Sequence, residues 1–88
     1  MALFCLTYDL VNERDYQKLY DELDNYGAIE TTESQWFFKA TGTNAKKLRE
    51  HFQRFIDDDD RLMVLRVANI ADEPAWSGIR LLASPNDL

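Results

Sequence analysis

The sequence predicts an α+β domain built on a four-stranded antiparallel sheet, and three observations lead there. Leu3–Asp9, Leu-Phe-Cys-Leu-Thr-Tyr-Asp, is an apolar, aromatic-rich run that reads as a buried central strand ending in a carboxylate. Two later stretches carry apolar residues at helical spacing, and two strand-like runs stand between them, close enough to form a hairpin. A further apolar run, Arg61–Val67, follows the second helical stretch, so the order is strand, helix, strand, strand, helix, strand.

After Asp9, Leu10–Arg14 reads as a short loop in which Asn12 is available to cap a helix. Tyr16, Leu19, Tyr20, Leu23 and Tyr26 then recur at i, i+3, i+4, i+7 and i+10, one face of a helix over about Asp15–Tyr26. Gly27 stands where a helix end needs the left-handed conformation that glycine enters freely. Ala28–Glu33, with Ile29, Thr31 and Thr32, reads as a polar edge strand, and Ser34 and Gln35 mark a turn or bulge. Trp36–Thr41 is apolar enough to be central. Gly42-Thr43-Asn44 breaks that strand, and Asn44 or Thr43 can cap a second helix whose apolar positions run from Ala45 through Leu48, Phe52 and Phe55 to about Ile56.

Asp57–Asp60 ends this helix, because four carboxylates in its last turn would oppose the helix dipole. Arg61–Val67 is the fourth strand, and Ala68–Gly78, with Pro74 and Trp76, is a loop. Ile79–Ala83 is long enough for a short fifth strand, and Ser84–Leu88 reads as a flexible tail beyond a single domain of residues 1–83. This order is the split-βαβ or ferredoxin-like arrangement. Right-handed crossovers put the first and third strands in the middle and both helices on one face. The other face is then bare, and a homodimer or an added covering segment would bury it.

Composition narrows the function classes. A chain of 88 residues makes one core and buries only roughly 60–65% of its unfolded surface, so association would strengthen it. Cys5 is the single cysteine, which excludes an intrachain disulfide and a cysteine-built metal site, and its place in the first strand suits a small core hydrophobe. With no secretory leader and no apolar run near the ~20 residues that span a bilayer, a cytoplasmic protein without membrane partners is expected. The net charge of −6 argues against strong sequence-independent nucleic-acid binding. The charge is segregated, however. Lys46, Lys47, Arg49 and Arg54 stand on the second helix against Glu50, while the stretch Glu13–Asp24 carries five acids against Arg14 and Lys18.

An opening strand ending Tyr8-Asp9, a helix, a hairpin whose second strand begins Ser34-Gln35-Trp36-Phe37, a second helix and a fourth strand together resemble one family. This is the small CRISPR-associated ferredoxin-like endonuclease superfamily, whose members act as metal-dependent nucleases or as dimeric scaffolds for spacer integration. The segments Asp60–Leu65 and Ala75-Trp76-Ser77-Gly78 look closest to its free-standing SinR-like branch, and VapD-type ribonucleases share the general plan. The resemblance spans about Ala2 to Gly78. It implies a homodimer in which Asp9 of each copy, near the two-fold, holds a divalent metal, magnesium or manganese, that activates water beside a scissile phosphate. The acidity of this chain and the lack of an evident basic saddle for duplex DNA depart from that pattern.

Each candidate has a plainer reading beside it. Asp9, the catalytic and metal candidate, also suits a strand-end carboxylate that caps the following turn. Lys39, Lys46, Lys47, Arg49 and Arg54 would contact phosphates if nucleic acid binds, and otherwise form a charged exterior. The Asp57–Asp60 run lacks the alternating spacing and distal glutamate of a calcium loop. His51, the single histidine, has no evident partner for metal binding or base catalysis and reads as a boundary residue. Trp36, Phe37 and Phe38 offer either a base-stacking platform or core on both sides of a strand. Trp76, with Ile79 and Leu81, is the candidate dimer contact, Trp76 as an aromatic anchor. Two functions follow: a dimeric nucleic-acid-binding protein with possible endonuclease activity, or a non-catalytic dimeric module that engages a protein partner.

Overall fold

A computed structural model describes residues 1–11, 16–68 and 74–88. Strand β1 is Ala2–Asp9, helix α1 Gln17–Asn25, β2 Ile29–Thr32, β3 Gln35–Ala40, α2 Ala45–Phe52 and β4 Arg61–Val67. The sheet order is β2-β3-β1-β4, with every neighbouring pair antiparallel, so the first and third strands are central as the sequence predicts. This is the ferredoxin-like α+β arrangement.

The strict alternation of β1 separates the two faces. Phe4, Leu6 and Tyr8 point to the helices, where they meet Leu19 and Leu23 of α1, Leu48 and Phe52 of α2, and Phe38 of β3. Phe4, Leu6, Leu19, Leu23, Phe38 and Phe52 are all fully buried, each removing apolar surface worth ~1.5–3 kcal/mol from water. The ring of Tyr26 packs at 5.4 Å from Phe38 and 5.1 Å from Phe52, which closes this core at the end of α1.

Local chemistry sets the helix limits. Tyr26 is the last residue of α1 and Gly27, at φ +67°, follows it in the left-handed conformation. The Gly27 N–H then reaches the Asp24 carbonyl and the Ala28 N–H the Leu23 carbonyl, the paired bonds of a Schellman ending. Asn44 caps α2 by accepting from the Lys47 N–H at 2.9 Å. Beyond Phe52 the chain tightens into a 3-10 turn, Gln53–Phe55, so the helical path to Ile56 changes character in its last turn. The proposed cap Asn12 lies outside the described residues. In the hairpin, Ser34 takes φ +67° at the turn and β2 bulges between Glu30 and Thr32, which leaves Thr31 almost fully buried.

The face away from the helices is not uniformly bare. Leu3, Cys5 and Thr7 of β1 share it with Gln35, Phe37 and Lys39 of β3, and Cys5 and Phe37 are buried there. Residues 74–88 supply the cover. The Leu82 N–H donates to the Thr31 carbonyl at 2.8 Å, the Lys39 ammonium to the Leu88 backbone oxygen at 3.0 Å, and Pro85 is buried. Burial pushes the Cys5 thiol up to about 11, which keeps it a neutral core group.

Two details differ from the sequence reading. Ile79–Ala83 forms no strand: Arg80 adopts φ +53°, which bends the backbone out of an extended path and leaves one bond to the edge of β2. Ser84–Leu88, read as a flexible tail, is a capped turn in which Ser84 and Asp87 bond each other's backbone. The β4 half of the face remains open, with Met63 58% and Leu65 47% exposed.

The two helices are joined by a polar clasp at the rim of the core. Glu22 of α1 accepts from His51 Nε2 of α2 and, at 3.0 Å, from Asn25 Nδ2. The imidazole packs against Tyr26, Phe52 and Phe55. The Asn25 bond first, and the His51 bond second, hold the Glu22 carboxyl below its ordinary value of 4.5. A carboxyl lowered in the folded state stabilises the fold above its unfolded pKa, and that contribution disappears as the pH falls through the folded one. Urea unfolding between neutral and acid pH checks this. Wild type should lose stability below about pH 4.5 more steeply than Glu22→Gln, whose amide does not titrate.

Candidate functional site

Asp9 is the last residue of β1, and its side chain leaves the sheet on the open side. It is 73% exposed. The antiparallel pairing of β1 with β4 sets Asp9 opposite Arg61, the first residue of β4, with the guanidinium 3.9 Å from the carboxylate. Both groups are solvated, so the pair itself contributes roughly 0–1 kcal/mol. Thr7, Tyr8, Asp9, Arg61, Leu62 and Met63 line a shallow groove of about 340 Å³ along this rim.

The chain beyond Asp9 is held by a neighbour of Arg61. Asp60 Oδ1 accepts from the Val11 N–H at 2.9 Å and from the Tyr16 hydroxyl at 3.2 Å, and its Oδ2 accepts from the Asp57 N–H at 2.9 Å. One carboxylate thus ties the segment after β1, the start of α1 and the turn before β4 into one corner. The last aspartate of the Asp57–Asp60 run is a structural latch, a role its plain appearance as a solvated turn conceals. Tyr8, one residue before Asp9, is anchored from the helix side. Its hydroxyl accepts from Trp36 Nε1 at 3.4 Å, and Tyr20 stacks on Trp36 at 6.1 Å between centroids. Burial, ahead of the contacts with Trp36 and Tyr20, pushes the Tyr8 phenol up to about 12, so it stays protonated and can only hold position.

One chain supplies one carboxylate at this rim. Among the described residues no group of three or more His, Cys, Asp or Glu is placed to hold a metal ion. An exposed carboxylate oxygen is the right donor chemistry for a hard divalent cation, but a single one does not make a site. A second donor has to come from another molecule.

The remaining candidates fall into separate places. Lys46 and Lys47 are exposed on α2, Arg54 is exposed on the turn after it, and Arg49 is half-buried beside Glu50 and Gln53. They share the helix layer, whereas the Asp9 carboxylate leaves the opposite face. Lys39 lies on that opposite face with Leu3 and is engaged by Leu88, so it is not grouped with the α2 cations. Trp76 joins Leu3, Lys39 and Pro85 around a cavity of about 530 Å³ under the C-terminal segment. Ile79 is 73% exposed, and Leu81 packs its side chain over Gly78. Trp36, Phe37 and Phe38 are core on both sides of β3, with Phe37 and Phe38 buried and Trp36 partly so.

Arg61 was absent from the sequence candidates, although a signal for it exists. Where a first and a fourth strand pair antiparallel, the end of one meets the start of the other, which brings Asp9 and Arg61 to one rim. A sequence model of the family described as CRISPR associated protein Cas2 matches residues 1–73 of the 88. The chain belongs to the Cas2 family. The match takes in all four strands, both helices, Asp9 and Arg61, and stops before Pro74. The Cas2 part is therefore the sheet with its two helices and the Asp9 rim, while the cover over Cys5 and Phe37 lies beyond it. Membership brings a CRISPR-associated, nuclease-like role in general terms. No helix among the described residues is long and apolar enough to cross a membrane.

The Asp60 latch generates a direct test. Asp60→Ala removes the acceptor of three groups from different segments and should destabilise the fold by ~1–3 kcal/mol. For a domain this size each kcal/mol lowers Tm by roughly 4–8 °C, so differential scanning calorimetry resolves the loss. Asp60→Asn keeps one acceptor oxygen and should recover part of it.

Proposed function

We propose that this Cas2-family chain works as a homodimer on nucleic acid, as a divalent-metal-dependent endonuclease with Asp9 of each copy as the metal ligands. The observation that carries the reading is the position of Asp9: an exposed carboxylate at the end of a central strand, beside the one stretch of sheet face that the chain's own C-terminal segment leaves uncovered. A second copy docked on Met63 and Leu65 would bury that apolar strip and bring a second Asp9 to the same rim. Trp76, Ile79 and Leu81 stand at the margin of the same face and would extend the contact.

Magnesium or manganese bound between the two carboxylates would supply Lewis-acid charge for a phosphate oxygen and a water. The chain's own contributions are positional. Tyr8, fixed by Trp36 from the core side, and Asp60, fixing the backbone of Val11, hold the residues on either side of Asp9. Lys46, Lys47, Arg49 and Arg54 would meet phosphates away from the reacting one, since they lie across the sheet from Asp9. Lys39 would reach a phosphate only on release from Leu88. A second reading is a non-catalytic dimeric module binding a protein partner, and the net charge of −6 favours it.

The test compares cleavage of labelled single- and double-stranded RNA and DNA by wild type and Asp9→Ala, with magnesium, manganese or chelator. Light scattering first establishes that both proteins fold and dimerise. Metal-dependent cleavage should fall at least about 100-fold in the variant, the upper end of what loss of even an outer-shell partner costs a metal site. A stable monomer at micromolar concentration removes the two-carboxylate site. A dimer without cleavage in wild type leaves the interaction module, and equal cleavage by both proteins moves the chemistry away from Asp9.

A further inference from the structure

We infer that Arg61 is the phosphate-binding group of the Asp9 rim, paired with the carboxylate at rest and transferred to a backbone phosphate of the bound nucleic acid. The inference rests on the nucleic-acid reading above and adds the residue that would contact substrate at that site. Arg61 is the first residue of β4, 76% exposed, and lines the same groove as Asp9, Thr7 and Met63. Its register opposite Asp9 is fixed by the β1–β4 ladder, so the two side chains meet at one rim whatever their rotamers.

The contact between them is long, at 3.9 Å, and solvated on both sides. It is too weak to be explained as a support of the fold. Nor does the fold need Arg61 elsewhere: the neighbouring Asp60 already secures the corner through Val11, Tyr16 and the Asp57 backbone. The planar guanidinium offers two parallel N–H groups that match phosphate oxygens, a geometry a lysine does not provide. Once a divalent cation engages the Asp9 carboxylate, the positive charge of Arg61 loses its partner, and a phosphate oxygen on the same cation is its natural replacement. In an acidic chain such a site also places a cation where the nearest carboxylate would otherwise repel the ligand.

The helix cations do not duplicate this role. Lys46, Lys47 and Arg54 lie in the helix layer, whereas Arg61 shares the open face with Asp9. Removing Arg61 should therefore affect binding at the rim while leaving the contacts made by α2 in place.

Fluorescence anisotropy of a labelled RNA strand and a labelled DNA duplex, titrated with the full chain in magnesium, tests this for wild type, Arg61→Ala and Arg61→Lys. Salt is varied from about 50 to about 200 mM, and thermal melts confirm that the variants fold. Loss of one phosphate contact should raise Kd roughly three- to tenfold and reduce the slope of log Kd against log salt by about 0.7 for the strand or about 0.9 for the duplex. Arg61→Lys should restore the slope and only part of the affinity, since it keeps the charge and loses the fork. The arm that shows the change identifies the ligand as RNA or DNA. A folded Arg61→Ala that matches wild type in affinity and slope overturns the inference and leaves the nucleic-acid reading standing. Weaker binding with an unchanged slope also overturns it, because the residue would then act through structure. Wild type that binds neither probe overturns both.

Discussion

The alternation of β1 is the constraint on which the rest of the structure depends. This strand pairs antiparallel on both sides, with β3 and with β4, so its register sets the register of the whole central sheet. A slip of one residue would turn Phe4, Leu6 and Tyr8 away from the helices and carry Leu3, Cys5 and Thr7 into their place. The helix side would then lose two fully buried side chains and the Tyr8–Trp36 contact together. Because Asp9 ends the same strand, the packing of the core also decides which face its carboxylate leaves. The rim chemistry is thus a by-product of hydrophobic register.

The opposite face has a different logic. Cys5 and Phe37 need cover, and residues 74–88 give it through few polar contacts: one bond to the Thr31 carbonyl, one from Lys39 and the self-capped turn at Ser84. The cover stops short of β4. Met63 and Leu65 stay in water beside Asp9 and Arg61, an arrangement that leaves apolar surface where a chain of this size can least spare it. An exposed apolar strip beside a carboxylate and a guanidinium is better suited to an interface with a charged rim than to a surface meant only for solvent.

Much of this was legible in the sequence because its signals are local. Helical spacing from Tyr16 to Tyr26, Gly27 behind it, and Asn44 ahead of Ala45 are decided within a few residues, and β4 falls on Arg61–Val67 as read. What was not legible depends on side chains far apart in the chain. The Glu22–His51 clasp joins residues on different helices, and nothing near His51 in sequence announces it. Asp60 looks like its three neighbours in an aspartate run, yet it alone accepts from Val11 and Tyr16. Ile79–Ala83 has strand-like composition, but a strand needs a free edge in reach along an extended path, and Arg80 bends away from one. Lys39 looked like one more cation until its alternation placed it on the face opposite α2.

Charge placement completes the physical account of the site. A net charge of −6 would repel a polyanion if it were evenly spread, and it is not. Asp21, Glu22 and Asp24 are carried by α1, Asp57–Asp60 fill the turn before β4, and the exposed cations Lys46, Lys47 and Arg54 lie on α2 and the turn after it. At the rim the two signs meet as single residues, Asp9 and Arg61, within one groove. Screening at physiological salt confines each of these fields to about 8 Å, so a ligand at the rim experiences chiefly the charges that line it. The overall acidity therefore constrains how strongly the chain attracts nucleic acid from a distance. What it can hold at the Asp9 rim is set by the two residues there and by any cation that joins them.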